Sequence, residues 1–152
     1  MGSVSTFLWY DTAAGEAVDF YTSLLPNSRI LSTNYAADGS VFLVSFELDG
    51  QLFQALNAGP HFHFTEAISI SVSVDTQEEV DRLWDAITSD GGEESQCGWA
   101  KDRWGLSWQI VPTALGETTG GPDPEGAARA TQAMLQMRKL DIAALRKAYA
   151  GE

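Results

Sequence analysis

The stretch Val41-Phe42-Leu43-Val44-Ser45-Phe46-Glu47-Leu48-Asp49-Gly50-Gln51-Leu52-Phe53-Gln54-Ala55-Leu56-Asn57 decides the fold. Two runs of β-favouring residues flank Asp49-Gly50. A two-residue type I′ turn needs positive φ at both central positions, and Asp-Gly supplies it. The pattern predicts strands over 41–48 and 51–57, with Ser45 opposite Gln54 and Leu43 opposite Leu56. One wall of that hairpin is therefore mixed polar and apolar.

Toward the N-terminus, Arg29 to Tyr35 reads as another strand, joined to the hairpin by a turn at Asp38-Gly39. Before it, Ala14, Ala17, Val18, Tyr21 and Leu25 recur at helical spacing, and Pro26-Asn27 stops the helix. Asp11 or Thr12 is placed to cap its start. Thr6-Phe7-Leu8-Trp9-Tyr10 reads as a first strand, with Thr6, Leu8 and Tyr10 on one face. The order is βαβββ over residues 4–58.

Toward the C-terminus the same order returns over residues 66–112. Ile68 to Val74 alternates strictly between aliphatic residues and Ser69, Ser71 and Ser73, as a half-buried strand does. Its aliphatic side should meet a helix, and its serine side should face a cavity. Thr76-Gln77-Glu78-Glu79 is a capping box, and Val80, Leu83, Trp84 and Ile87 share one face of the helix it opens. Gly91-Gly92 ends that helix. Short strands are expected around 93–96, over 99–101 and over 107–111. The unit thus appears twice, about 60 residues apart, which signals duplication rather than a repeat array. Phe53-Gln54-Ala55-Leu56 and Trp108-Gln109-Ile110-Val111 match, each placing a glutamine in the last strand of its half. Residues 113–121 read as a Gly/Thr-rich linker within the same domain. Asp123-Pro124 then opens a helix in the favoured way, with Ala127, Ala130, Met134 and Met137 as its apolar stripe. Asp141 caps a last helix bearing Ile142, Leu145 and Tyr149. Two surfaces suit those stripes: a partner subunit, or their own domain.

Composition narrows the function classes. The chain has 152 residues, 44% of them hydrophobic, enough for one packed domain. A formal net charge of -12 repels nucleic acid and anionic membranes. No apolar run reaches the roughly 20 residues of a membrane-spanning helix, and the first residues lack a signal-peptide pattern. With the single cysteine, Cys97, which cannot form an internal disulfide, this places the expected location in the cytoplasm.

Several stretches resemble the PhnB-like branch of the vicinal-oxygen-chelate (glyoxalase/bleomycin-resistance) superfamily. They are Phe7-Leu8-Trp9-Tyr10-Asp11 with Ala17-Val18-Asp19-Phe20-Tyr21, then Gly59-Pro60 to Ser69. The most specific runs from Gln96-Cys97-Gly98-Trp99-Ala100-Lys101-Asp102 through Gly105 to Pro112. The tail segments Ala133-Met134-Leu135 and Ile142 to Leu145 are also similar. The resemblance implies an α+β fold: two βαβββ modules whose mixed sheets curl around a cavity, with C-terminal helices, often in homodimers. It implies no single reaction, because the superfamily includes isomerases, dioxygenases, transferases and sequestering proteins.

In metal-dependent relatives, His, Gln or Glu side chains on the strands hold a divalent ion. Carrying the pattern across puts Thr6 and Ser69 where histidines stand, and Gln54 and Gln109 where glutamates stand. Hydroxyls and amides hold divalent ions poorly, so no metal or other cofactor is expected. The amides suit hydrogen bonding to a small molecule. The candidate ligand-binding residues are Thr6, Leu8, Ser45, Gln54, Ser69, Ser71, Trp99, Trp104 and Gln109. Two readings stand for the glutamines, ligand contacts or satisfied sheet residues, and two for the serines, a cavity wall or a solvated face. His61 and His63 sit in the connection between modules, which favours a surface or packing role over ligation. Cys97 fits a small packed residue better than a nucleophile. Asp102-Arg103 fits a turn better than a cavity rim.

Three functions follow. The first is a small-molecule-binding protein with no catalytic residues assigned. The second is a metal-dependent lyase or isomerase, or a dioxygenase-type enzyme. The third is the 3-demethylubiquinone methyltransferase whose name this branch carries. That name fits poorly, because Asp11-Thr12-Ala13-Ala14-Gly15 after the first strand is not a glycine-rich cofactor loop.

Overall fold

The computed structural model describes residues 2–152. The chain falls into two compact units, the first ending at Phe64 and the second spanning Thr65–Glu152. The fold is α+β, and each unit carries one βαβββ module.

In the first unit the order is β1 (Thr6–Tyr10), α1 (Ala14–Leu24), β2 (Arg29–Tyr35), β3 (Val41–Leu48) and β4 (Gln51–Asn57). The strands form an open four-stranded sheet in the order β1-β4-β3-β2. The hairpin forms as its sequence dictates: Asp49 and Gly50 have φ of 48° and 79°, and Ser45 pairs with Gln54 and Leu43 with Leu56. Alternation decides which side packs. Val44, Phe46, Phe53 and Ala55 are buried on the side that meets α1, where Ala17, Val18 and Tyr21 are also buried. Phe46 and Phe53 stack with centroids 5.4 Å apart.

The cap of α1 differs from the expectation. The N-cap residue is Ala13, and its helix receives no cap from Asp11 or Thr12. The Ala14 N–H donates instead to Asn57 Oδ1 at 2.8 Å. Asn57 also donates through Nδ2 to the Val41 carbonyl at 3.0 Å. A residue at the end of β4 thus satisfies a helix-start donor that local sequence was expected to satisfy.

The second unit repeats the order with β5 (Ser69–Val74), α2 (Gln77–Thr88), β6 (Glu93–Glu94), β7 (Trp99–Lys101) and β8 (Ser107–Pro112). Its sheet runs β5-β8-β7-β6. Val80, Leu83, Trp84 and Ile87 are all buried, as their helical spacing predicts. Each such side chain contributes about 1.5–3 kcal/mol on burial. Thr76 caps α2, its hydroxyl accepting from Glu79 N at 3.2 Å. The strand expected near 93–96 is shorter, Glu93–Glu94 alone.

The segment read as a linker is a helix, α3 (Thr113–Thr119). Its threonines and glycine have low helix propensity, but Ala114 and Thr118 are buried and Thr118 Oγ1 donates to the Ala114 carbonyl at 2.7 Å. Packing overrides propensity here. Helices α4 (Pro124–Leu135) and α5 (Ile142–Ala150) follow, capped by Asp123 and Asp141 as expected. Of the two surfaces weighed for these helices, their own unit receives them: Ala130, Leu140 and Leu145 are fully buried. The tail is clamped to α2 by Gln77, which donates to the Leu140 carbonyl at 3.0 Å and accepts from Ile142 N at 2.8 Å. Cys97 N and Gly98 N donate to the carbonyls of Met137 and Arg138, both at 2.8 Å. Among the described residues no helix is long and apolar enough to cross a membrane.

Candidate functional site

Each sheet has one side packed on its helices and one side that is not, and the candidate residues divide between them. In the first unit the strand register places Phe7 beside Gln54 and Trp9 beside Leu56, with Ser45 across from Gln54. These residues share the face turned away from α1. Thr6 and Leu8 do not. Thr6 pairs with buried Phe53 and Leu8 with buried Ala55, and Leu8 itself is 3% exposed. Tyr10, on the same side, bonds Tyr21 of α1 hydroxyl to hydroxyl at 2.8 Å. The expected placement of Thr6 and Leu8 beside Gln54 is therefore corrected by one residue. The cause is visible in Thr6-Phe7-Leu8-Trp9-Tyr10, which lacks polar–apolar alternation and so leaves its inward face undetermined.

On the open face, the Gln54 amide is held from two sides. Ser5 Oγ donates to Gln54 Oε1 at 3.3 Å, and Gln54 Nε2 donates to Ser45 Oγ at 3.5 Å. Trp9 Nε1 donates to the Gly59 carbonyl at 2.9 Å, and its ring meets Phe62 edge-on at 4.9 Å. Phe7 is 52% exposed.

In the second unit Ser71 pairs with Gln109 and Ser69 with Ser107, while Trp99 lies across from Gln109. The serine side of β5 and Gln109 therefore share a face, as the alternation predicts. Ile70 and Val72 sit beside Trp108 and Ile110 on the other, and both of those partners are fully buried. Gln109 Nε2 donates to Ser69 Oγ at 3.0 Å. Each module thus pairs a glutamine with a serine, the serine donating in the first and accepting in the second. Ser5 precedes by two residues the strand position beside Gln54, and Ser69 precedes by two the position beside Gln109. The counterpart of Ser69 is Ser5, not Thr6. The repeat in sequence did not hold that signal, since superposing the glutamines shifts Ser5 onto Pro60; only the strand registers bring Ser5 and Ser69 to equivalent places.

Trp104 is not on a strand. It lies in the turn between β7 and β8, with Arg103 over its ring at 5.1 Å. Asp102 builds that turn, as expected: its carboxylate accepts from Trp104 N, Leu106 N and Trp108 Nε1 at 2.9, 3.0 and 3.0 Å. Among the described residues Ser107 Oγ is buried and meets no hydrogen-bond partner.

The basic residues Arg29 and Lys101 on these faces are paired. Arg29 bonds Glu47 at 3.1 Å, on the Ser45 side of β3. Lys101 pairs with Glu66, on the Trp99 side of β7. The Lys101 hydrogen bond lowers the Glu66 carboxyl below its ordinary range and raises the lysine in return. Two clefts lie elsewhere. One of about 370 Å³ adjoins the start of α1, near Asp11, Glu16 and Asn57. One of about 390 Å³ adjoins the starts of α2 and α5, near Thr76, Asp141 and Arg146.

The donor sets do not suit a divalent ion. Among the described residues no three His, Cys, Asp or Glu side chains gather as a metal site, and the face positions hold neutral amides and hydroxyls, which are weak ligands. His61 and His63 are exposed, alternating with Phe62 and Phe64, which pack on Trp9 and Tyr10. The residues do not suit a nucleotide-type methyl donor either. Such cofactors use a glycine-rich turn between a strand and a helix, whereas Gly15 lies inside α1, where an added Cβ would meet the Val41 side chain.

A paired-module α+β protein with an amide on each open face is the class that fold and geometry define. The chain belongs to the 3-demethylubiquinone-9 3-methyltransferase family, whose profile matches residues 2–111. The match ends before α3, so the tail segments that resembled the family lie outside it. A solved Bacillus cereus PhnB protein carrying the same methyltransferase description is 30% identical, with a TM-score of 0.68, covering 74% of this chain and 100% of its own. The protein PA1353 of Pseudomonas aeruginosa is 19% identical with a TM-score of 0.59, covering 74% of this chain and 98% of its own. The fosfomycin resistance protein FosX of Listeria monocytogenes is 16% identical with a TM-score of 0.57, covering 76% and 94%. These last two share the fold. No curated protein matches the chain.

Proposed function

We propose that this chain is a small-molecule-binding protein of the glyoxalase/bleomycin-resistance superfamily, in which the Gln54 and Gln109 amides fix the ligand without a metal or methyl donor. The observation that carries the reading is the twofold occurrence of one glutamine–serine arrangement on the side of each sheet that leaves its helix free. Duplication copies structural and functional residues alike; what favours a site is that both glutamines stand, half-buried, on the sheet face turned away from the helix, beside Phe7 in one unit and Trp99 in the other. A buried or half-buried amide held by hydroxyls is pre-oriented, and pre-orientation lowers the cost of binding. Trp9 and Trp99 supply flat walls of the kind small-molecule sites use.

The test is native mass spectrometry of untagged protein taken gently from its host. A co-purified organic mass is expected in the parent chain, reduced in Gln54→Leu or Gln109→Leu and lost in the double variant, each with its melting midpoint near the parent's. An equal adduct in both variants contradicts the reading. The metal-dependent lyase, isomerase or dioxygenase reading requires stoichiometric metal in the same spectra and loss of activity on chelation. The methyltransferase reading requires a heat of binding with S-adenosylmethionine in calorimetry. The reading also includes a homodimer in the cytoplasm. Edge strand β2, with Ile30, Leu31 and Tyr35 exposed, supports the dimer, and light scattering across a concentration series tests it.

A further inference from the structure

Resting on that reading, we infer that the ligand is an uncharged, planar aromatic molecule bearing one neutral hydrogen-bonding group. The basic residues on the two open faces are already matched. An anionic ligand needs a cation or a row of amide donors aimed at it. Arg29, the basic residue on the Ser45 face, is already committed to Glu47 at 3.1 Å. Lys101, on the Trp99 face, is committed to Glu66 and is paired in the strand register with Glu93. Each cation is thus matched or outnumbered by carboxylates. Across the chain at least seven of the nine basic residues form ion pairs, within a field of net charge -12. A buried anion without a partner is strongly disfavoured.

The neutral groups fit a different ligand. On the first face Phe7 is 52% exposed and flanks the Gln54 amide in the strand register, and Trp9 is fixed through its ring nitrogen and its edge contact with Phe62. On the second, Trp99 lies opposite Gln109. Aromatic faces reward planar ligands by stacking, and a carboxamide beside them both donates and accepts, so it reads a hydroxyl or a carbonyl equally. Glu47 and Glu66 are each already bonded to a cation, and Glu93, exposed on edge strand β6 two strands from Gln109, is too remote to hold a cationic ligand against that amide.

The experiment is equilibrium dialysis of the full chain, treated with EDTA, against three matched probes: 2-naphthol, 2-naphthoate and 2-naphthylmethylammonium. The neutral probe is expected to bind at least about tenfold more tightly than either ion, and to weaken by about tenfold or more in Gln54→Leu or Gln109→Leu. If either leucine variant fails to fold, the near-isosteric Gln→Met change at that position, which removes both the donor and the acceptor, replaces it with the same loss expected. Naphthoate or the ammonium binding as tightly as naphthol overturns the ligand class while leaving the binding faces standing. Naphthol binding that requires added Mn(II), or that ignores both glutamines, also overturns it. Retention of none of the three probes removes the binding-face reading and this inference together.

Discussion

Asp102 and Ser107 sit five residues apart and make opposite predictions. The Asp102 carboxylate, 3% exposed, accepts from two backbone N–H groups and the Trp108 ring nitrogen. Removing it strands three donors, so Asp102→Ala should cost about 2–4 kcal/mol, read as a lowered denaturant midpoint. A loss under 1 kcal/mol on the same scale would show that the turn holds without it. Ser107 Oγ is buried with no partner among the described residues, and an unsatisfied buried hydroxyl costs about 1–3 kcal/mol. Ser107→Ala should therefore leave stability unchanged or raise it. A clear destabilisation would reveal a bond from that hydroxyl. The limits of sequence reading also show at single residues. Ser69 and Gln109 were legible because β5 alternates strictly. Thr6 and Leu8 were misplaced because β1 is aromatic and apolar on both faces. Asn57 was invisible as a cap because the helix it serves begins 43 positions earlier.

At the scale of elements, the hairpin, the amphipathic faces of α1 and α2 and the caps of α4 and α5 are local patterns, and local patterns are what a sequence displays. Helix α3 was hidden because its threonines and glycine argue against it, and only burial of Ala114 and Thr118 reverses that preference. The tail's attachment was equally hidden, since Gln77 reaches Leu140 and Ile142 more than 60 positions away. Gln77→Ala should loosen that attachment. Hydrogen exchange at the amides of Gly98, Ile142 and Leu145 is expected to speed up while that of Val44 and Phe46 stays slow. Equal protection throughout would mean the clamp is redundant. The Glu66–Lys101 pair gives a prediction with a sign. Glu66 is lowered mainly by the lysine hydrogen bond. The pair's contribution is thus present above the ordinary glutamate range and disappears as pH falls through the depressed value. Lys101→Met should return the Glu66 titration, followed by NMR, upward to its ordinary position. An unmoved titration would place the cause elsewhere.

At the scale of the molecule, duplication is the organising fact. Two βαβββ units, each with an open sheet and a glutamine held by a serine, turn one supersecondary solution into two faces of like chemistry. The excess of carboxylates shapes the rest. A net charge of -12 opposes compaction through self-repulsion, and about 0.5 M salt shortens the screening length to a few ångströms. The melting temperature should accordingly rise between low and high salt. A fall would mean that the seven ion pairs outweigh the repulsion they sit in. The measurement that bears most directly on function is the affinity of the EDTA-treated chain for 2-naphthol, compared with Gln54→Leu and Gln109→Leu. Saturable, metal-free binding that each substitution weakens, and that the two together abolish, is the predicted result. Binding that appears only when Mn(II) is restored, or that survives both substitutions, would contradict the account.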